Sequence, residues 1–187
     1  MTMSDEPMLR LAKKVCLLGD YAVGKTSLVR RFVYNLFDDK YISTIGVKVS
    51  RKTLLTRRND QIVELALMLW DLAGSEEFDR VRVSYLRGAE GAILVCDLTR
   101  PETLTSLRRY ADEMRMINPE ARLVLAANKR DLVESHGTAG QGFLDPQQVE
   151  AMAVELGAPY YLTSAKVGNE VDAMFRQLGQ ALVDRNR

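Results

Sequence analysis

The segment Gly19-Asp20-Tyr21-Ala22-Val23-Gly24-Lys25-Thr26 limits what this chain can fold into more than any other. It reads GxxxxGK closed by Thr, and it lies between the apolar run KKVCLL and a stretch in which Leu28, Phe32 and Leu36 recur at helical spacing. A strand, a glycine-containing loop and a helix in that order aim successive backbone N–H groups at one point, where the helix dipole favours negative charge. The pattern predicts a phosphate cradle made of Asp20, Tyr21, Ala22, Val23, Gly24, Lys25, Thr26 and Ser27. Lys25 is expected to reach the β- and γ-phosphates of a nucleotide, and the Thr26 hydroxyl to ligate Mg²⁺. Reading the segment as a mere turn before a helix leaves the Lys-Thr pair without a reason.

Strand-like apolar runs alternate with helical patterns along most of the remaining sequence, which predicts a sheet covered on both faces by helices. Strands are expected near 11–18, 48–56, 62–70, 91–97, 122–128 and 159–163. The turn RRND at 57–60 would join the second and third as a hairpin, so one edge strand runs antiparallel. The fold class is therefore α/β, a six-stranded mixed sheet of the P-loop kind. Helical stripes appear at Leu28, Phe32 and Leu36; at Leu104, Leu107, Ala111 and Met114; at Val149, Met152, Ala153 and Leu156; and at Val171, Met174, Phe175, Leu178 and Leu182. A weaker one falls at 77–87. Pro101 and Pro146 suit first helical turns, with Thr99 and Asp145 as caps. The stretch ESHGTAGQG at 134–142 reads as a surface loop.

With 187 residues and 47% hydrophobic content the chain fits one domain with a sizeable core. Lys plus Arg number 26 against 25 Asp plus Glu, a balance that offers no electrostatic reason for a nucleic-acid or acidic-membrane partner. Cys16 and Cys96 sit in apolar runs and read as buried thiols, and the single histidine, His136, has no companions for a zinc site. The beginning MTMSDEPM is unlike a secretion signal, the second residue is not Gly, and the tail ALVDRNR carries no Cys for a prenyl chain. A cytoplasmic location without a direct lipid anchor is the expectation.

Two further motifs bear on the base. Asn128-Lys129-Arg130-Asp131 follows the apolar run RLVLAA, at the strand end where open α/β sheets place ligands. The Asp131 carboxylate can accept from both N–H donors on the edge of guanine, which adenine cannot match. Leaving it unpaired costs roughly 1–3 kcal/mol or more, so ATP would be rejected. Thr163-Ser164-Ala165-Lys166 follows the last strand and would bring the Ala165 N–H to the guanine carbonyl, with Ser164 and Lys166 beside it. A GTP-binding domain over 11–184, after a flexible N-terminus at 1–10, is the expected organisation.

With these motifs in place the sequence resembles the small GTPases of the Ras superfamily, and within it the Rab family, over about residues 11–183. The resemblance is carried also by Thr44-Ile45-Gly46-Val47, Trp70-Asp71-Leu72-Ala73-Gly74, Tyr85-Leu86-Arg87-Gly88-Ala89 and Leu94-Val95-Cys96-Asp97-Leu98-Thr99. It implies that Thr44 binds Mg²⁺ through its hydroxyl and the γ-phosphate through its N–H, and that Asp71 holds the metal through water. It also implies that the Gly74 N–H meets the γ-phosphate and that Phe37 packs on guanine. GTP and GDP are the implied ligands. Effectors, exchange factors and GTPase-activating proteins are the implied partners, through residues 38–50 and 71–87. Phe37 as a simple helix-closing residue is the plainer alternative.

The sequence departs from the family at Ser75, where most members carry the Gln that orients the attacking water, and at Tyr21, where they carry a small residue. Among Lys25, Thr44, Gly74, Ser75 and Tyr21, the candidates for catalysis, two therefore break the pattern. The expectation is a molecular switch with slow intrinsic GTP hydrolysis. A GTP-binding adaptor that hardly hydrolyses is the runner-up, and an ATP-using enzyme is disfavoured by Asp131. The cluster Arg51, Lys52, Arg57 and Arg58 reads either as a dock for an acidic partner or as a solvated face.

Overall fold

A computed structural model describes residues 8–40, 43–136 and 142–184. The chain runs β1 (Leu9–Leu18), α1 (Lys25–Tyr34), β2 (Val47–Arg58), β3 (Gln61–Leu72), α2 (Glu76–Leu86), β4 (Gly91–Asp97), α3 (Glu102–Thr105), α4 (Leu107–Ile117), β5 (Arg122–Asn128), α5 (Arg130–His136), α6 (Pro146–Glu155), β6 (Tyr160–Leu162) and α7 (Val171–Asp184). The strands form one six-stranded sheet in the order β2-β3-β1-β4-β5-β6. Only the β2–β3 pair is antiparallel, joined at Asn59-Asp60 with Asn59 at φ 55°.

All seven residues of β4 are buried, as befits a strand reading GAILVCD with helices on both of its faces. One core layer joins α1 and α7 to the sheet through Leu28, Phe32, Phe175 and Leu178. The other joins α4 and α6 through Leu107, Met114, Val149 and Met152. Burying a side chain of this size contributes about 1.5–3 kcal/mol, so the helical stripes fix which face of each helix meets the sheet. Cys16 and Cys96 are fully buried in the second layer, and burial pushes both thiols up to about 12, so neither forms a thiolate at neutral pH.

Several expected boundaries move. β1 begins at Leu9, inside the stretch expected to be a flexible N-terminus, because Leu9 and Arg10 pair with Val63 and Glu64. α1 stops at Tyr34, since Asn35 turns left-handed, its N–H closing on the Arg31 carbonyl and the Leu36 N–H on that of Arg30; Leu36 thus falls outside the helix and is 54% exposed. The stripe at 104–114 divides into α3 and α4 at Ser106, where the Tyr110 N–H reaches the Ser106 carbonyl only at 3.5 Å. Thr99 caps neither: its N–H and hydroxyl both donate to Asp97 Oδ1, and Pro101 itself stands at the cap of α3. Asp145 does cap α6, accepting from Gln147 N and from the Gln148 backbone, with Pro146 at the first turn.

α5 was hidden from apolar spacing because it buries no side chain, and residues 134–136 of the expected loop belong to it. Residues 137–141 of that loop lie outside the described residues. The basic cluster is divided by the pleat of β2: Arg51 and Arg57 point to one face of the sheet, Lys52 and Arg58 to the other. Among the described residues no helix is long and apolar enough to cross a membrane.

Candidate functional site

Because β1, β3, β4 and β5 run parallel, their carboxyl ends share one edge and bring Gly19, Asp71, Asp97 and Asn128 together from four separate motifs. A cavity of about 300 Å³ opens there. Its wall includes Tyr21, Ala22, Gly24, Lys25, Thr26 and Ser27 from the phosphate loop, Phe37, Thr44 and Gly74 from the segments after it, and Asn128, Lys129, Asp131, Ala165 and Lys166 at the far end. Five expected residues stand just behind the wall. Val23 is buried, Asp20 turns its carboxylate away to the Tyr110 hydroxyl at 2.9 Å, Asp71 and Ser164 lie beneath, and Ser75 opens α2.

At the phosphate end Lys25 is 7% exposed, and its ammonium donates to the Gly19 and Asp20 carbonyls at 2.7 and 2.8 Å. Burial pulls its pKa down to about 8 against the charges of Asp71 and Asp20, so an incoming anion would meet a cation short of counter-charge. Thr26 Oγ1 donates to Asp71 Oδ2 at 2.5 Å and lies 2.7 Å from Thr44 Oγ1. Asp71 is 1% exposed, and its Oδ1 is the one buried side-chain oxygen or nitrogen among the described residues with no hydrogen-bond partner. Burial raises the pKa of this carboxyl, outweighing the Thr26 hydrogen bond and the Lys25 charge. Two hydroxyls and an under-satisfied carboxylate form an oxygen donor set that fits a small hard cation such as Mg²⁺.

Three glycines are required by contact: a Cβ on Gly19 would fall 2.3 Å from the Val95 carbonyl oxygen. A Cβ on Gly24, at φ 103°, would fall 2.2 Å from Asn128 Nδ2, and one on Gly74 would fall 2.6 Å from the Asp20 carbonyl carbon.

The far end is tied together by its own side chains. Asn128 donates to the Val23 carbonyl at 3.0 Å and accepts from the Thr163 hydroxyl at 3.1 Å and the Ala165 N–H at 3.3 Å. The Ala165 N–H that sequence reasoning gave to guanine is therefore spent on Asn128 here. Ser164 donates to Asp131 Oδ1 at 2.6 Å, and Arg31 clamps the Ala165 and Lys166 carbonyls at 2.7 and 2.5 Å. Phe37 packs against the core layer of α1 and α7 and also lines the cavity.

Two comparisons bear on this geometry. The Ras family model matches residues 14–184. The chain belongs to the Ras family. The Ras-related protein SEC4 of Saccharomyces cerevisiae is 36% identical over 173 residues, covering 92% of this chain and 75% of that protein. The GTP-binding protein YPTM1 of Zea mays is 35% identical over 170 residues, 90% of this chain and 77% of the relative. The Ras-related protein Rab-1D of Dictyostelium discoideum is 35% identical over 173 residues, 92% and 80% of the two chains. The chain is thus a Rab-like small GTPase of the Ras superfamily.

This Ras-family site also uses residues that motif reading passed over. Asp97, 1% exposed at the end of β4, holds Lys129 at 2.6 Å and Arg100 at 3.2 Å, and Arg100 reaches the Tyr21 carbonyl at 2.7 Å. Burial alone would raise the Asp97 carboxyl; the hydrogen bonds from Lys129 and Thr99 outweigh it and hold the carboxyl below its ordinary value. Its position, at a strand's carboxyl end like Asp71 and Asn128, was the available signal. Arg31 and Arg100 gave none, because their roles depend on tertiary approach.

Proposed function

We propose that this small GTPase is a GTP/GDP switch with slow intrinsic hydrolysis. The observation that carries the reading is the convergence, on one cavity wall, of Lys25 and Thr26 with Thr44, Gly74 and the pair Asn128 and Asp131. Backbone N–H groups at the start of α1 and the Lys25 ammonium bind the β- and γ-phosphates. Thr26, Thr44 and Asp71, whose oxygens are grouped beside the cradle, would hold Mg²⁺. When bound there, the ion would supply positive charge that offsets the phosphates. Asp131, steadied by Ser164, accepts from the guanine edge, and Phe37 covers the base. Loss of the γ-phosphate removes its contacts with Thr44 and Gly74, which is how the nucleotide state is reported to effectors and regulators at residues 38–50 and 71–87.

Slow hydrolysis follows from Ser75. It starts α2 with its backbone extended, at φ −82° and ψ 148°, and its side chain is too short to reach and orient water from there. Positioning a water or its proton contributes typically about 10²–10⁴-fold to such a step. Ser75→Gln should therefore raise the single-turnover rate of bound GTP by about tenfold or more. An unchanged rate would remove Ser75 from the account. The second reading, a GTP-binding adaptor with almost no turnover, is favoured by Tyr21, whose 48% exposed ring stands at the mouth of the cavity. It is distinguished by the same rate staying negligible in both proteins and in the presence of a cytoplasmic extract as a source of activating proteins.

A further inference from the structure

α2 carries a group that the nucleotide site does not use. Arg82 is 1% exposed, the most voluminous fully buried side chain among the described residues. Its guanidinium makes a two-pronged pair with Glu113 of α4, at 2.9 and 2.8 Å, a third contact with Asp79 of its own helix, and lies 4.6 Å above the Tyr110 ring. Arg109 closes the ring from the other side, bonding Asp79 at 2.6 Å and the Tyr110 hydroxyl at 3.3 Å. The Tyr110 hydroxyl in turn donates to Asp20 of the phosphate loop at 2.9 Å. The connection is completed at the backbone, where Gly74 sits so close to Asp20 that a Cβ would collide with its carbonyl.

Such a charge-assisted fork is among the strongest side-chain contacts available, and a buried guanidinium released from it would be left unpaired. None of these side-chain contacts uses Thr26, Thr44 or Asp71; the network reaches the phosphate loop only through the Asp20 carboxylate, which is turned away from the cavity. The first switch segment is held differently. Ile45 is 94% exposed, Asp39 meets Lys166 only as an exposed pair at 3.5 Å, and Thr44 is anchored through the Thr26 hydroxyl, itself at the metal position.

We propose that Arg82 and Tyr110 are positioning residues that pin α2 and Gly74 to the phosphate loop in both nucleotide states, so that residues 38–46 alone report the γ-phosphate. This rests on the switch reading above and narrows it, since loss of the γ-phosphate then frees one segment and not two. The charge ring stands in for the ordering that the third phosphate would otherwise supply.

The test is hydrogen exchange by mass spectrometry on the full chain loaded with GDP or with a non-hydrolysable GTP analogue, nucleotide occupancy being checked by chromatography. The expected result is that peptides covering 77–87 exchange within about twofold of one another in the two states, while those covering 38–50 slow by about tenfold with the analogue. In Arg82→Gln, the 77–87 peptides should exchange about tenfold faster with GDP than with the analogue, giving α2 the state dependence it lacked. Tyr110→Phe, which keeps the ring and removes only the link to Asp20, should give the same effect at about threefold should Arg82→Gln prove too unstable to purify. A tenfold state dependence of 77–87 in the unaltered protein would overturn the proposal and leave the switch reading standing. Indifference of both segments in fully loaded protein would overturn both. Variants whose α2 stays indifferent to nucleotide would show that Arg82 and Tyr110 are not the pins.

Discussion

The two ends of the cleft are built on opposite plans. At the base end every named polar side chain has a protein partner: Asn128 three of them, Asp131 the Ser164 hydroxyl, Lys129 the Asp97 carboxylate. At the phosphate end a buried carboxylate oxygen of Asp71 has none, and Lys25 turns its ammonium onto loop carbonyls. On the proposed function, the base end would be a prearranged reader whose geometry precedes the ligand. The phosphate end would be completed by what binds there, as suits an end whose proposed ligand changes between states. Preorganisation gives selectivity, and incompleteness gives responsiveness.

The largest effect expected from breaking this contrast is at Lys25. Lys25→Ala removes charged hydrogen bonds to phosphate worth about 1.5–3 kcal/mol each, so affinity for GDP and GTP should fall by roughly 10²-fold or more in displacement titrations with a fluorescent analogue. Guanosine, which has no phosphate, should bind the variant and the parent alike.

Asp131→Ala should act on the other end. The two guanine N–H groups lose their acceptor, a loss of about 1–3 kcal/mol, so the preference for GTP over ATP should shrink by about 10- to 100-fold while the Mg²⁺ dependence of release stays as it was. If that substitution altered the metal dependence instead, the division of labour between the two ends would be wrong.

Chelation of Mg²⁺ should speed GDP release from the parent protein by about tenfold or more and do far less in Asp71→Asn. The same substitution should stabilise the nucleotide-free protein, because it removes a buried charge with an unpaired oxygen; a gain of about 1 kcal/mol would raise Tm by about 2–4 °C. A lower Tm for nucleotide-free Asp71→Asn would contradict the incomplete-site reading.

The smallest effect is a pH dependence at Asp97. Its carboxyl is held below the ordinary value in the folded chain, so the stabilisation it supplies is present above the unfolded value of about 3.9 and is lost as pH falls through the lower folded value. The stability difference between the parent and Asp97→Asn should be constant from neutral pH down to about 5 and should narrow only below about 4. Urea midpoints measured across that window would show it.

How far each end was legible in the sequence follows from the same contrast. The phosphate loop, Asn128, Asp131 and Thr163 to Lys166 announced themselves because each motif is local and stands at a strand end. The six strands and the hairpin were legible from continuous apolar runs and one polar turn. What escaped depends on approach between distant segments. Arg82 finds Glu113, and Arg100 finds the Tyr21 carbonyl, only once α2, α4 and the loop after β4 are packed. α5 escaped because a helix without a buried stripe has no period to detect. The end of α1 at Asn35 was set by one left-handed residue, which the stripe running on to Leu36 concealed.

The central claim is that this cleft holds a guanine nucleotide and turns it over slowly. The most direct measurement is to purify the protein without added nucleotide, denature it, and identify by chromatography what was carried. The account predicts about one guanine nucleotide per chain with a substantial share still GTP, because Asp131 selects the base and Ser75 leaves hydrolysis slow. An adenine nucleotide, or none at all, would contradict it.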